Sequence, residues 1–278
     1  MHGKVVVITG ATSGIGRIAA EALAAKGARI VLVARDRGRA ERTLARLRAV
    51  GPQSAHQAHI ADLSRLDDTK EVGARIAGQE PRIDLLINNA GNVFAGRALT
   101  ADGLERTFAL NHMAYFVLTH ALRDRLVAAA PARIVNTASG AHRGNSLNFD
   151  DLQMERSYSA LKAYGRSKLA NILFTRELAR RLAGTGVTAN CLHPGFVVTG
   201  LGQRDGGFFG VMVRLSMLFA GRPERGAATI VHLAAAPDAA TASGGYYVDC
   251  REAQPSRAAQ DDAAARRLWE ESMRLARL

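Results

Sequence analysis

The stretch Lys4-Val5-Val6-Val7-Ile8-Thr9-Gly10-Ala11-Thr12-Ser13-Gly14-Ile15-Gly16 constrains the fold more than any other part of the chain. A short β-branched run ends in three glycines, Gly10, Gly14 and Gly16, the pattern of a buried strand that turns sharply into a helix. Without a Cβ the backbone can bend tightly at Gly10, approach a pyrophosphate near Gly14 and let helix pack on strand at Gly16. The first N–H groups of the helix then face an anionic ligand, and the helix dipole adds to the attraction. Thr12, Ser13 and Ile15 complete this cradle. Such turns also serve as plain connections, so the rest of the chain must decide.

With 278 residues and 47% hydrophobic content, the chain is long enough for one sizeable α/β domain and short for two. One dinucleotide-binding and catalytic domain over residues 1–278 is expected. The 37 basic against 25 acidic residues give a net charge of +12. The excess is scattered through segments such as Asp36–Arg48 and Arg176–Arg181, which speaks for solvated helix faces and against nucleic-acid binding. Cys191 and Cys250 stand far apart, with neither CxxC nor Cys/His spacing, so no disulfide framework or metal site is expected and a reducing compartment fits. Met1-His2-Gly3-Lys4 leads straight into a strand, and the apolar stretch from Gly206 to Gly221 is interrupted by Arg214. That stretch falls short of the ~18 to 20 residues of a membrane span. A soluble, cytoplasmic chain with no membrane anchor is expected.

Strands are expected at Lys4–Ile8, Arg29–Ala34, Ala55–Ile60, Ile83–Ile87, Arg133–Ala138, Val187–Leu192 and Gly244–Val248. Helices are expected over Ile15–Lys26, Asp36–Val50, beyond Ser64, Ala101–Ala129, Ser159–Leu182 and Ala258–Leu275. Alternation at this rhythm implies right-handed βαβ units and a doubly wound, mostly parallel seven-stranded sheet ordered 3-2-1-4-5-6-7. Ligands of such sheets lie beyond the carboxyl ends of the strands, where the strand order reverses.

At the end of the second strand, NAD-preferring folds place a carboxylate on the ribose hydroxyls, whereas a phosphate there requires a cation. This chain has Ala34 and then Arg35, which points to NADP(H) over NAD(H). Asp36 fits better as the cap of the next helix. Asp62-Leu63, past the third strand, reads equally as a turn.

Tyr164 and Lys168 lie four residues apart in a helical segment and so share one face. A neighbouring ammonium would lower the phenol's pKa and let it exchange a proton with an alcohol or carbonyl. Ser139 ends the fifth strand, Asn111 lies in the long helix before it, and Asn88-Asn89-Ala90-Gly91 ends the fourth strand. His142 and His193 lack a carboxylate partner pattern and read as structural.

The glycine turn, Asn89-Ala90-Gly91 and the set Asn111, Ser139, Tyr164 and Lys168 together resemble the cofactor motifs and catalytic tetrad of the short-chain dehydrogenase/reductase family. The finer pattern, including Thr100 to Glu105, Asn111-His112, Ser167 to Phe174, His193-Pro194-Gly195 and Arg266-Arg267-Leu268-Trp269, resembles its retinol dehydrogenase-like branch. The resemblance runs from Lys4 to about Leu275 and implies a Rossmann-fold oxidoreductase. It implies that Tyr164 exchanges the proton, Ser139 donates to the oxyanion, and Lys168 lowers the phenol's pKa and holds the nicotinamide ribose. Asn111 would order a water, and Asp62 would meet the adenine. Pro194, Gly195, Val197 and Thr199 would meet the nicotinamide amide and a phosphate. It also places a substrate lid at about 198–222, where glycines and apolar residues could close over a lipophilic carbonyl or alcohol; the same segment reads as a helix packed on the core or on a partner chain. Family members commonly pair their two long helices, which leaves homo-oligomerisation open. Competing readings are a catalytically weak NAD(P)-binding sensor or scaffold, and an epimerase or dehydratase of the wider family.

Overall fold

Val5–Thr9 forms β1, with its last four residues buried, and runs into helix α1 (Gly14–Ala25) in a computed structural model that describes residues 1–195 and 223–278. Then follow β2 (Arg29–Ala34), α2 (Arg37–Val50), β3 (Gln57–Ile60), α3 (Leu66–Gln79) and β4 (Leu85–Asn88). A single turn α4 (Arg106–Phe108) and a π-turn (Ala109–Met113) lead into α5 (Ala114–Ala128). The chain continues through β5 (Ala132–Thr137), α6 (Ala160–Arg181) and β6 (Val187–His193). It then passes through α7 (Pro223–Ala235), β7 (Tyr246–Val248), β8 (Arg251–Glu252) and α8 (Asp262–Ala276).

The sheet order is β3-β2-β1-β4-β5-β6-β7-β8. All neighbours are parallel except β7 and β8. The first seven strands keep the expected order, and the reversal between β1 and β4 sets the ligand edge where the sequence places it. The expected count of seven is corrected to eight: Arg251–Glu252 is an exposed two-residue strand closing a hairpin, too short and too polar to carry an apolar pattern.

The strands alternate their side chains between two cores. Val6, Ile8, Ile30, Leu32, Leu85 and Ile87 face α1, α2 and α7. Val7, Val31, Leu86 and Ile134 face the layer of α3, α5, α6 and α8. Trp269 anchors α8 there, with its ring 5.0 Å from Phe116 and 5.9 Å from Phe174. Asp262 adds ion pairs to Arg176 and Arg180 of α6.

The expected helix over Ala101–Ala129 starts later than the sequence suggests. Gly103 takes a positive φ of 75°, Leu99 bridges antiparallel to Glu105, and the Glu105 carboxylate caps the N–H groups of Thr107 and Phe108. Helix therefore begins at Arg106, and Asn111 sits in the wider π-turn. The predicted lid at 198–222, with Val197 and Thr199, lies outside the described residues.

Candidate active site

The glycine turn is held against the end of β4 by close packing. A Cβ on Gly10, whose φ is 67°, would stand 2.7 Å from the Ala90 Cα. One on Gly16 would stand 2.5 Å from the Gly10 carbonyl oxygen and collide with the Asn89 amide. Both positions therefore need glycine. Asn89 Nδ2 donates to the Thr9 and Gly10 carbonyls, each at 3.2 Å, and Asn89 Oδ1 accepts from the Thr137 hydroxyl at 3.3 Å. The Thr9 hydroxyl accepts from the Asn89 and Ala90 N–H groups at 2.9 and 3.0 Å. Asn89 thus acts as a brace joining β1, β4 and β5. Ser13 precedes α1 in extended conformation without a side-chain cap, and the first turn of α1 carries no acidic residue. The N–H groups at that terminus keep their positive end for an anion.

At the end of β2, Arg35 is exposed and forms no ion pair among the described residues. The Asp36 carboxylate accepts from the Arg39 N–H at 2.7 Å, the expected cap. Asp62 Oδ1 accepts from the N–H and hydroxyl of Ser64 at 3.0 and 2.8 Å, which makes its carboxylate a turn former. Leu63 packs in the core.

Tyr164 and Lys168 occupy successive turns of α6, as their spacing requires. The Lys168 Nζ stands 5.6 Å from the Tyr164 ring and donates to the Thr137 carbonyl at 3.0 Å. A Cβ on Gly91 would stand 3.1 Å from Asn111 Oδ1 and 3.4 Å from Lys168 Nζ, so β4's end, the π-turn and α6 converge here. Ser139 lies near enough to the Tyr164 phenol to favour its ionised form, and the Ser139 oxygen accepts from the Ala141 N–H at 3.2 Å. Asn111 is fully buried: Nδ2 donates to the Asn92 carbonyl and the Ser167 hydroxyl, both at 3.0 Å, and Oδ1 accepts from the Asn92 N–H at 2.9 Å. Its side chain is committed to holding the loop after Gly91.

The electrostatics differ from the sequence expectation in one respect. Burial raises the Tyr164 phenol above its ordinary value, and the Ser139 hydrogen bond only partly opposes this. Burial also lowers Lys168 to about 7, so its charge is partial at neutral pH. The lowering of the phenol by a full ammonium that the sequence suggests does not appear within the protein alone, where burial sets the direction of both shifts.

Tyr115 was not singled out in the sequence, although it lies four residues after Asn111. Its ring is fully buried 5.7 Å from the Lys168 Nζ, its hydroxyl has no hydrogen-bond partner among the described residues, and burial next to Tyr164 raises its pKa. His142 is structural, as expected: one ring nitrogen donates to the Ser139 carbonyl at 2.7 Å and the other accepts from the Ser256 N–H at 3.0 Å. His193 packs beside Gly140. Pro194 and Gly195 follow β6, Gly195 with a φ of 79°.

A doubly wound sheet with a glycine turn at its strand reversal defines a dinucleotide-binding protein. The model of the short chain dehydrogenase family matches residues 4–206, and the chain belongs to that family. Retinol dehydrogenase 14 of Mus musculus is 42% identical over 285 residues, covering 97% of this chain and 85% of the relative. Among solved structures, an uncharacterised protein from Mycobacterium paratuberculosis superposes with a TM-score of 0.78 at 30% identity, over 99% of this chain and 94% of that one. A short chain dehydrogenase from Burkholderia cenocepacia J2315 in complex with NADP gives a TM-score of 0.70 at 28% identity, over 88% and 95%. The chain is an oxidoreductase of the retinol dehydrogenase-like type. Among the described residues, no helix is long and apolar enough to cross a membrane.

Proposed function

We propose that the protein is an NADP(H)-dependent oxidoreductase that interconverts a carbonyl and an alcohol on a lipophilic small molecule, such as a retinoid, a steroid or an aliphatic aldehyde or ketone. The carrying observation is the convergence of Tyr164, Ser139 and Lys168 at one point on the sheet's rim, beside Gly91 and the braced glycine turn. The uncapped start of α1 fits the pyrophosphate, and Arg35 beside Ala34 fits a ribose phosphate. The NADP in the Burkholderia relative and the retinol dehydrogenase name of the mouse relative support the same reading.

When bound, the nicotinamide supplies or accepts the hydride. Ser139 donates a hydrogen bond to the oxygen that gains negative charge, a contribution of about 3 kcal/mol where water is excluded. Tyr164 gives its proton to that oxygen, or takes one in the reverse direction. A phenol raised by burial is protonated at neutral pH, which suits reduction. Lys168, anchored on the Thr137 carbonyl, holds the ribose hydroxyls. The two free cysteines suit a reducing compartment, in keeping with a cytoplasmic location. A screen of NADPH and NADH against all-trans-retinal, steroid ketones and short polar aldehydes tests the proposal. Turnover of the lipophilic set with NADPH is expected; turnover confined to small polar carbonyls, or no NADPH oxidation at all, would overturn it.

A further inference from the structure

We propose that His142 is a positioning residue for Ser139, tying the backbone from which that hydroxyl projects to a strap formed by the chain after β8; the inference rests on the role given to Ser139 above. Ser139 caps a short 3₁₀ turn, Gly140–His142, and the His142 ring is fully buried. Its Nδ1 lies 2.7 Å from the Ser139 carbonyl oxygen, and its Nε2 lies 3.0 Å from the backbone nitrogen of Ser256, 114 residues further along the chain. A carbonyl oxygen only accepts and a backbone N–H only donates, so Nδ1 carries the proton and Nε2 accepts. No other protonation state of the ring satisfies both main-chain groups. Burial, with Arg143 beside the ring, holds the imidazole below its ordinary pKa and so in this neutral form.

The strap is itself referenced to the sheet. The Ala253 N–H donates to the Tyr246 carbonyl of β7 at 2.8 Å, the Tyr246 ring meets the His142 ring edge-on at 5.2 Å, and Arg143 donates to the Gln254 carbonyl at 2.8 Å. The same 3₁₀ turn presses on α6. A Cβ on Gly165, the residue after Tyr164, would stand 2.7 Å from the Ala141 carbonyl oxygen, and Asn145 Nδ2 donates to that oxygen at 2.9 Å. The turn that carries Ser139 is therefore held by the strap and by the helix that carries Tyr164. The Ser139 carbonyl also accepts from the His142 N–H at 3.2 Å, but that bond is local to the turn, whereas the imidazole joins the turn to a distant segment. Because the Ala141 N–H donates to Ser139 Oγ at 3.2 Å, fixing the turn fixes the hydroxyl with it.

The test compares His142→Phe, which keeps a ring against Tyr246 and loses both hydrogen bonds, with Leu32→Ala, a core truncation far from the turn. Melting temperature, kcat and KM for retinal reduction by NADPH, and amide hydrogen exchange at Ala141 and Ser256 are read in each. Both variants should melt earlier. Only His142→Phe should lower kcat per folded molecule, by about three- to tenfold at nearly unchanged KM, and only it should speed local exchange at Ala141 and Ser256. In a Ser139→Ala background the further loss from His142→Phe should shrink to less than about twofold, because the group being positioned is gone. If His142→Phe does not fold, His142→Asn takes its place: its amide keeps a donor for the Ser139 carbonyl and still loses the tie to Ser256. A kcat unchanged in the His142 variant, or a loss that persists undiminished beside Ser139→Ala, would reduce His142 to packing and overturn the inference. A wild type inactive on every carbonyl would instead sink the functional reading; exchange at Ala141 would then decide this one, since an unmoved rate would show that His142 does not hold the Ser139 turn.

Discussion

The two faces of the sheet solve different problems with the same strands. The face under α1, α2 and α7 is apolar over β1, β2 and β4, with Val6, Ile30, Leu32 and Leu85 buried against Leu23, Leu47 and Ile230. The face under α3, α5, α6 and α8 begins equally apolar, at Val7, Leu86 and Ile134, then turns polar at the carboxyl ends of the strands. There Asn88 Nδ2 donates to Thr119 at 3.1 Å and to Asn136 at 2.9 Å. Asn136 Nδ2 donates to Thr175 at 2.9 Å, and Thr175 to the Asn171 carbonyl at 2.7 Å. The first face stores stability mainly through apolar burial. The other gives up part of that burial to orient α6, which carries Tyr164 and Lys168.

Substitutions on the two faces should therefore separate stability from chemistry. The largest effect is expected at Lys168→Met: turnover falls by about 10²- to 10⁴-fold while the fold persists. The matching cut on the apolar face, Leu32→Ala, should cost about 2–5 kcal/mol in urea unfolding yet leave kcat per folded molecule within about twofold. A large fall in kcat for Leu32→Ala would erase the distinction. Next comes the edge shared by both faces, where Ala34→Asp with Arg35→Ala should shift the ratio of kcat/KM for NADPH over NADH by about tenfold or more toward NADH. An unmoved ratio would remove Arg35 from the site. On the polar ladder, Asn136→Ala strands the Asn88 and Thr175 partners and should cost about 1–3 kcal/mol. Unlike Leu32→Ala, it should also reduce kcat.

The last effect is a slope. Burial lowers Lys168 from 10.5 to about 7, so between those values the unfolded chain binds a proton that the folded protein does not. Stability of the cofactor-free protein should rise with pH through that window, and Lys168→Met should flatten the rise. Urea midpoints measured from pH 7 to pH 10 in both proteins check the sign.

Much of this division was legible in the sequence. β-branched runs and glycine stops located seven strands in order, since burial on both faces leaves continuous apolar segments such as Ile30–Val33. The spacing of Tyr164 and Lys168 gave their shared face, and Asp36 kept its cap. The start of the long helix was hidden because Gly103 and Glu105 build a bridged turn inside a sequence with helical composition. β8 was hidden because two exposed residues carry no pattern. The sign of the Tyr164 shift depends on desolvation, a property of the folded surroundings that local spacing does not encode. The meeting of His142 with Ser256 likewise exists only once the chain after β8 folds back beside the end of β5.

The central claim is that the phenol of Tyr164 exchanges a proton at the rim of the sheet. Its most direct test is the reduction of all-trans-retinal by NADPH at pH 7, with Tyr164→Phe beside the wild type and cofactor affinity measured in both. The account predicts retinol formation by the wild type, a loss of about 10²- to 10⁴-fold in the variant and unchanged NADPH binding. A variant that still turns over at more than a few per cent of the wild-type rate would contradict it.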